Sequence, residues 1–419
     1  MLDRTQPPKS YLLDDLTLAD VQLTELSSGV KLHILADDTN PVIKIDIFFP
    51  TGKCEENIAG AATLCGKLMM EGTLSYPSSE LQETLDHYGA HADVAVGYDE
   101  TTFSMVCLKE YFTTLLPLLK SVITEPLFDD KDFEKLKFQM IQKAKVNNGK
   151  NGYLATKALR KQLLKGSPYA LVADENSLAE VSIDDVKSFY ANNFSVKPQI
   201  IIAGEIDEDV ESRIEDLFGI LTFKDEFDNR DFKLDPNYET HEIKREGSVQ
   251  ASIRLASLSI DKSHPDYFKL AIANEMLGGF FGSRLMKNIR EDKGYTYGIY
   301  STIINYRGLS YHIIGADVKL DAVDDAINEC RKELDNMQSS LVSEEELSTL
   351  KNYLLGKLAG NLDTIFSQSD NYKSKVSEGV DYQEYFDNYV KTIRSISAED
   401  IREISAKYFS QEYCVVKVV

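Results

Sequence analysis

The stretch VSIDDVKSFYANNFS, from Val181 to Ser195, recurs in altered form as ISAEDIREISAKYFS, from Ile396 to Ser410. The two stretches share five identical residues in fifteen, and four further pairs are conservative. Each has a serine followed by acidic residues, which indicates a capped helix start, and each precedes a β-branched run typical of a strand. The pattern predicts a helix followed by a strand, used twice in the chain.

A second, independent pair of segments repeats with nearly the same spacing. FEKLKFQMIQK begins at Phe133 and LSTLKNYLLGK at Leu347, which is 214 residues later, whereas the first pair is 215 residues apart. Two matches at nearly one spacing indicate a duplicated unit. A chain of 419 residues is long enough for two domains of ordinary size.

Each half of the chain is predicted to be an α+β unit. Alternating apolar and polar residues in segments 29–35, 42–49 and 252–257 are typical of half-buried antiparallel strands. Long amphipathic helices fill much of the rest, so we expect a mainly antiparallel sheet in each half, with one face packed on helices and the other left free to face something.

A charged segment divides the two predicted domains. Residues 224–246 include 13 charged side chains in 23 positions and have almost no apolar period, so this segment cannot bury a face against a core. We expect it to link a domain of residues 1–223 to a domain of residues 247–419.

Composition argues against several classes of protein. The net charge of −22 opposes binding to nucleic acid or to an anionic membrane, because contact with phosphates requires a cationic face. No run of about 18 apolar residues predicts a membrane span, and the first residues do not resemble an export signal, so we expect a cytoplasmic protein. Five scattered cysteines without C-x-x-C spacing favour free thiols.

Several longer segments, in the right order, resemble one family of metallopeptidases. LSSGVKLHILADDTNPVIKIDIFFPTGKCEE, from Leu26 to Glu56, and NEMLGGFFGSRLMKNIREDKGYTYGIYS, from Asn274 to Ser301, are similar to segments of the pitrilysin-like zinc peptidases. This family includes insulinase and the mitochondrial processing peptidase. The resemblance runs from about residue 23 to the end of the chain, and it implies two homologous domains of the processing-peptidase type.

The helix that would carry the zinc motif of this family has lost the ligands. The resemblance aligns GAATLCGKLMMEGT, residues 60–73, with the family's H-x-x-E-H helix, and it places Thr63, Gly66 and Lys67 at the His, Glu and His positions. The distal carboxylate position falls near Lys143 or Ala144. The resemblance therefore implies no metal in this chain, and Lys67 is spaced to form a helical ion pair with Glu71.

The second half keeps the other part of the family's active site. An arginine and a tyrosine seven residues apart bind the substrate carbonyl in the family, and Arg290 and Tyr297 match them. The resemblance is to the non-metal, arginine–tyrosine subunit of bacterial two-subunit enzymes. It implies a chain that is inactive alone and that pairs with a homologous zinc-bearing subunit to cleave peptides, with the zinc in that partner.

Other interpretations of these residues remain open at this stage. Arg290 could be paired with Glu291 or Asp292, Tyr297 could simply pack, and the chain could be an inert structural or peptide-binding homologue that serves assembly only. The isolated chain could also form a homodimer. Gly278, Gly279 and Gly282 resemble the family's glycine-rich substrate loop, while their order does not fit a phosphate-binding loop.

Overall fold

The computed structural model describes residues 16–224 and 231–419, and the first half contains six strands and eight α-helices among the described residues. In chain order they are β1 (Gln22–Glu25), β2 (Lys31–Ala36), β3 (Val42–Phe49), α1 (Ala61–Met69), α2 (Ser78–His87), β4 (His91–Val96), β5 (Thr101–Leu108), α3 (Lys109–Thr124), α4 (Asp130–Asn148), α5 (Asn151–Leu163), α6 (Glu175–Glu180), α7 (Ile183–Asn193), β6 (Gln199–Gly204) and α8 (Glu208–Phe218).

The second half repeats this plan, with two π-helical turns at Glu275–Gly279 and Met286–Asp292. Its elements are β7 (His241–Ile243), β8 (Gln250–Ser259), α9 (Tyr267–Asn274), β9 (Thr296–Tyr306), β10 (Leu309–Lys319), α10 (Val323–Ser339), α11 (Glu344–Asn361), α12 (Ile365–Ser377), α13 (Tyr382–Ser395), α14 (Ala398–Tyr408) and β11 (Cys414–Val418).

The two sheets have the same strand order. The first runs β1-β2-β6-β3-β5-β4 and the second runs β7-β11-β8-β10-β9, so the second sheet matches the first except that, among the described residues, it has no counterpart of β1. Each sheet contains one parallel pair, β2 with β6 and β7 with β11, and its other pairs are antiparallel. The prediction of two homologous α+β halves with mainly antiparallel sheets is confirmed.

The repeated segments form equivalent helices with equivalent caps. Helix α7 begins after Ser182 and α14 after Ser397, and in each the serine side chain accepts a hydrogen bond from the backbone N–H three residues on. The backbone N–H of each serine donates in turn to the carboxylate of the aspartate at N3, which completes a capping box at the predicted helix start. Local sequence alone therefore accounts for these two helix starts.

The second face of each sheet, which was expected to be left free to face something, is covered in part by a helix of the other half. Helix α5 of the first half packs on β8 and β11, and its Leu159 and Leu163 belong to one buried cluster with Ala256 of β8 and Val416 of β11. Helix α12 of the second half packs on β2 and β6. Both sheet faces carry apolar side chains that water cannot solvate favourably, so a layer on each face is required.

The predicted linker is partly integrated into the fold. Its residues His241–Ile243 form β7, which pairs in parallel with β11 at the edge of the second sheet. Upstream, Asp235 forms an ion pair with Lys165 at 2.5 Å. Residues 225–230 of this segment lie outside the described part of the chain. No helix within residues 16–224 and 231–419 is long and apolar enough to cross a membrane, and none of the five cysteines, all of which lie in these ranges, forms a disulfide.

Candidate functional site

Helix α1 stands where the resemblance places a zinc-binding helix. It starts after Gly60, whose φ of 111° suits glycine, and the Ala62 N–H donates to Glu56 Oε2 at 2.9 Å. Burial raises the pKa of Glu56 to about 6, against the opposing effect of backbone hydrogen bonds from Ala62 and Gly60. This half-buried carboxyl is therefore a partner of the helix N-terminus whose pKa is raised.

The side chains at the three motif positions differ in exposure as well as in chemistry. Thr63 is half-buried, Gly66 is buried and Lys67 is exposed. A Cβ built on Gly66 would lie 2.6 Å from Val96 Cγ2 and 3.3 Å from Val94 Cγ2. Helix α1 thus rests directly on β4 at Gly66, and a glutamate there would collide with that strand.

The position of the distal ligand is also without a carboxylate. Helix α4 packs against α1, and on it Lys143 is exposed while Ala144 is buried. The ion pair expected between Lys67 and Glu71 is wrong, since Glu71 pairs instead with Lys135 of α4 at 3.0 Å. Among the described residues, no group of three or more His, Cys, Asp or Glu side chains is placed to hold a metal ion.

Arg290 lies in the π-helical turn of residues 286–292, a type of helix irregularity that is frequent at functional sites. Its guanidinium carbon is 4.5 Å from the centre of the Phe281 ring, which is a cation–π distance. Within the described residues it forms no ion pair with Glu291, Asp292 or another carboxylate. The half-buried guanidinium therefore keeps donors that no carboxylate occupies.

Tyr297 lies near the start of β9, which is the edge strand of the second sheet. Its side chain is 88% exposed, so the alternative in which this ring merely packs does not describe its environment. The preceding residue, Thr296, is held in place by its side chain. Its Oγ1 donates to the Asp317 carbonyl oxygen at 2.6 Å and accepts from the Gly298 N–H at 3.1 Å. The backbone on both sides of Tyr297 is therefore held by hydrogen bonds, while the Tyr297 side chain is exposed to solvent.

The three glycines of the predicted substrate loop have different surroundings. Gly278 is buried, and a Cβ there would lie 2.6 Å from Ser301 Cβ, so this glycine lets the π-helical turn of residues 275–279 approach β9. Gly279 and Gly282 are half-buried. Of the three, only Gly279 and Gly282 have surface that a ligand could touch.

A serine–histidine contact that sequence reasoning did not find lies inside the second half. Ser301 Oγ is 2.6 Å from His312 Nε2 and 2.6 Å from Asn274 Oδ1, and His312 Nδ1 is 3.0 Å from the Tyr413 hydroxyl. Burial lowers the pKa of His312 to about 3. Because Ser301 is only 2% exposed, this network stabilises the core and offers no nucleophile to a substrate.

Comparison with known proteins gives matches in both halves of the chain. Residues 33–172 match the family described as "Insulinase (Peptidase family M16)", and residues 180–354 match "Peptidase M16 inactive domain". A Bacillus subtilis protein named "Uncharacterized zinc protease YmxG" is 20% identical over 93% of this chain and 96% of its own length. A Helicobacter pylori protein named "Non-peptidase homolog YmxG" is 25% identical over 75% of this chain and 74% of its own.

The fold also matches solved structures along almost its whole length. The crystal structure of a peptidase M16 inactive domain from Pseudomonas fluorescens superposes with a TM-score of 0.85 at 21% identity. The match covers 95% of this chain and 97% of the other. At that identity the likeness concerns the fold alone.

Proposed function

The chain belongs to the insulinase family of peptidases, peptidase M16, as a homologue without zinc ligands, and we propose that it is one subunit of a two-chain zinc endopeptidase. In this proposal it supplies Arg290 and Tyr297 in trans to a peptide held by a homologous, zinc-bearing subunit. The chain has no peptidase activity by itself.

The observation that carries the proposal is the exposure of Tyr297. A donor that acts on a substrate held by another chain must reach out of its own fold, and the Tyr297 side chain is 88% exposed on an edge strand. Arg290 adds a guanidinium that no carboxylate of the described chain neutralises. A tyrosine kept only for packing would be expected to bury its ring.

These two side chains suit one chemical task. During peptide hydrolysis negative charge develops on the carbonyl oxygen, and donors placed at that oxygen stabilise the transition state more than the ground state. The Tyr297 hydroxyl and the Arg290 guanidinium would both donate to it. The residues at positions 63, 66 and 67 do not fit a metal, so an intact H-x-x-E-H helix in the partner would supply the zinc.

The test is peptide cleavage by the reconstituted pair. This chain is combined with a homologous chain that has an intact H-x-x-E-H motif, and turnover is measured for each chain alone and for the mixture. Only the mixture is expected to cleave. Tyr297→Phe should lower kcat at least about tenfold with little change in KM, because an oxyanion donor contributes on the order of 3 kcal/mol.

Matched variants separate a catalytic role from damage to the fold. Tyr76→Phe removes a phenol hydroxyl from the first half and should leave turnover unchanged. Arg290→Ala should impair both KM and kcat, because it removes a charge as well as donors. Full activity with both Tyr297→Phe and Arg290→Ala would instead identify the chain as an inert homologue that serves assembly only.

A further inference from the structure

A cleft of about 270 Å³ opens directly beside Tyr297. Two of its walls are aromatic, and part of its floor is bare backbone because Gly298 and Gly315 have no side chains. The Tyr300 ring lies across Gly315, where a Cβ would be 2.5 Å from the ring. The lining includes Gln250, Arg254, Tyr297, Tyr300, Gly315 and Asp317.

The sheet is irregular where Asp317 faces this cleft. The register between β10 and β9 shifts between Ala316 and Val318, so two residues of β9, Tyr297 and Gly298, lie opposite Asp317 in a β-bulge. Bulges commonly redirect a side chain beside a functional site. The Asp317 side chain is 56% exposed, and its Oδ1 accepts a hydrogen bond from Ser252 Oγ at 2.5 Å. The hydrogen bond from Ser252 therefore orients the Asp317 carboxylate, and its exposed surface is accessible to a ligand.

A buried arginine lies behind this carboxylate without using it as a hydrogen-bond partner. Arg254 Nη1 is 3.8 Å from Asp317 Oδ1, but this nitrogen donates to the carbonyl oxygens of Ile253 and Ala316. The other guanidinium nitrogens donate to Gly152 O and Thr156 Oγ1. Arg254 is 7% exposed, so it reduces the negative potential of Asp317 while offering a ligand almost no surface of its own.

The cleft continues into a second one, which gives an extended ligand room on both sides of Asp317. This neighbouring cleft has a volume of about 520 Å³ and shares Gln250 and Asp317 with the first. It passes the start of α5, along residues 149–153, and the segment 245–250 before β8. Asp317 therefore stands partway along a groove that leads to Tyr297.

We propose that the cleft between Tyr297, Tyr300 and Asp317 receives a lysine or arginine side chain of a bound peptide. The aliphatic stem of that residue would lie on the two tyrosine rings, and its cationic end would bind the Asp317 carboxylate. An acidic side chain would meet the same carboxylate and be repelled. Only the position of this residue near the scissile bond rests on the proposed function, since the cleft itself belongs to this chain.

The test measures binding to the isolated chain, so it does not need the partner. Three fluorescently labelled nine-residue peptides are identical except for lysine, norleucine or glutamate at the centre, and their dissociation constants are measured by anisotropy. The lysine peptide should bind at least about fivefold more tightly than the norleucine peptide, and the glutamate peptide most weakly. Norleucine has the same aliphatic chain as lysine but no ammonium group, so the difference between these two peptides measures the contribution of the charge.

Variants then assign the preference to one carboxylate. Asp317→Asn should bring the lysine and norleucine affinities together without changing the norleucine affinity, and Asp317→Lys should reverse the preference toward glutamate. Asp321→Asn, an exposed aspartate that does not line either cleft, should leave the preference intact. Equal affinities in the unmodified chain, no binding of any peptide, or a lysine preference that survives Asp317→Asn would overturn the inference.

The outcomes distinguish this inference from the proposed function. A lysine preference that depends on Asp317, together with full turnover of the pair carrying Tyr297→Phe, would retain the peptide site and reject the catalytic role. A loss of turnover with Tyr297→Phe, together with no effect of Asp317→Asn on the affinities, would retain the catalytic role and reject the site.

Discussion

Gly66 of α1 lies against Val96 of β4 so closely that a Cβ at position 66 would be 2.6 Å from Val96 Cγ2. The helix at the position of the family's zinc motif therefore lies directly on the edge strand of its sheet. A glutamate at position 66 would have to displace Val96, because the valine side chain occupies the space beside the glycine.

Restoring the glutamate should destabilise the protein. Gly66→Glu places a charged side chain in a buried contact with β4, and we expect a loss of about 2 to 4 kcal/mol in the free energy of unfolding, measured by urea denaturation. Lys67→His changes an exposed neighbour on the same helix and should cost less than about 0.5 kcal/mol. Equal stability of the two variants would show that β4 moves aside easily.

Zinc should not bind this chain, and restoring the motif should not recover it. In the variant Thr63→His, Gly66→Glu, Lys67→His, the distal position still holds Lys143 or Ala144, so one ligand of the site is missing. Metal analysis of the purified chain and of this variant should find far less than one equivalent of zinc. One tightly held equivalent in the variant would show that another side chain completes the site.

Phe281 should position Arg290 rather than contact the substrate carbonyl itself. Its ring is 64% exposed and lies 4.5 Å from the guanidinium carbon. Phe281→Leu keeps an apolar side chain but removes the π-face, and we expect cleavage by the reconstituted pair to fall about three- to tenfold in kcat/KM. Phe281→Tyr retains the face and should restore most of the activity, whereas a purely steric role would be satisfied by leucine.

Cutting the chain between the halves should not separate them. Helices α5 and α12 each lie on the sheet of the other half, and the buried Leu159 and Leu163 anchor α5 there. After limited proteolysis within residues 224–240, both fragments should elute together on gel filtration and part only in denaturant. Independent elution of two folded fragments would contradict the exchange of helices.

Glu56 should make the protein less stable as the pH rises. Burial raises its pKa in the folded state from 4.5 to about 6, so the folded chain binds more protons than the unfolded chain between these values. The free energy of unfolding should therefore decrease by about 2 kcal/mol from below pH 4.5 to above pH 6 on account of this group. Glu56→Gln should remove that component, which is measured as the difference between the two urea-denaturation series across this pH range.

Much of the fold was predictable because it depends on local or periodic features. The strand at Val42–Phe49 and the helices that begin after Ser182 and Ser397 follow from alternation and capping, which act within a few residues. The duplication was visible because both copies retain the same order of elements. The absence of ligands at positions 63, 66 and 67 is a property of residue type, so no structure was needed to see it.

The covering of the sheets could not be predicted in the same way. The apolar stripe of α5 indicates that a partner surface exists, but its residues do not specify that the surface is the second sheet. That choice depends on how the chain runs after α4 and on which sheet face lacks a helix. Similarly, His241–Ile243 look like part of a charged linker, and only pairing with β11 makes them a strand.

Through its resemblance to a zinc-peptidase family, the sequence implied that the zinc ligands are missing. By itself it determined the duplicated α+β plan and the seven-residue spacing of Arg290 and Tyr297, because these are properties of short-range pattern and repetition. Only the tertiary structure decided the surroundings of that pair. Phe281 comes under Arg290 through the turn between two helices, and Asp317 of β10 lies opposite a bulge of β9 that holds Tyr297 and Gly298. These contacts arise from packing and strand register, which residue type and short-range period do not specify.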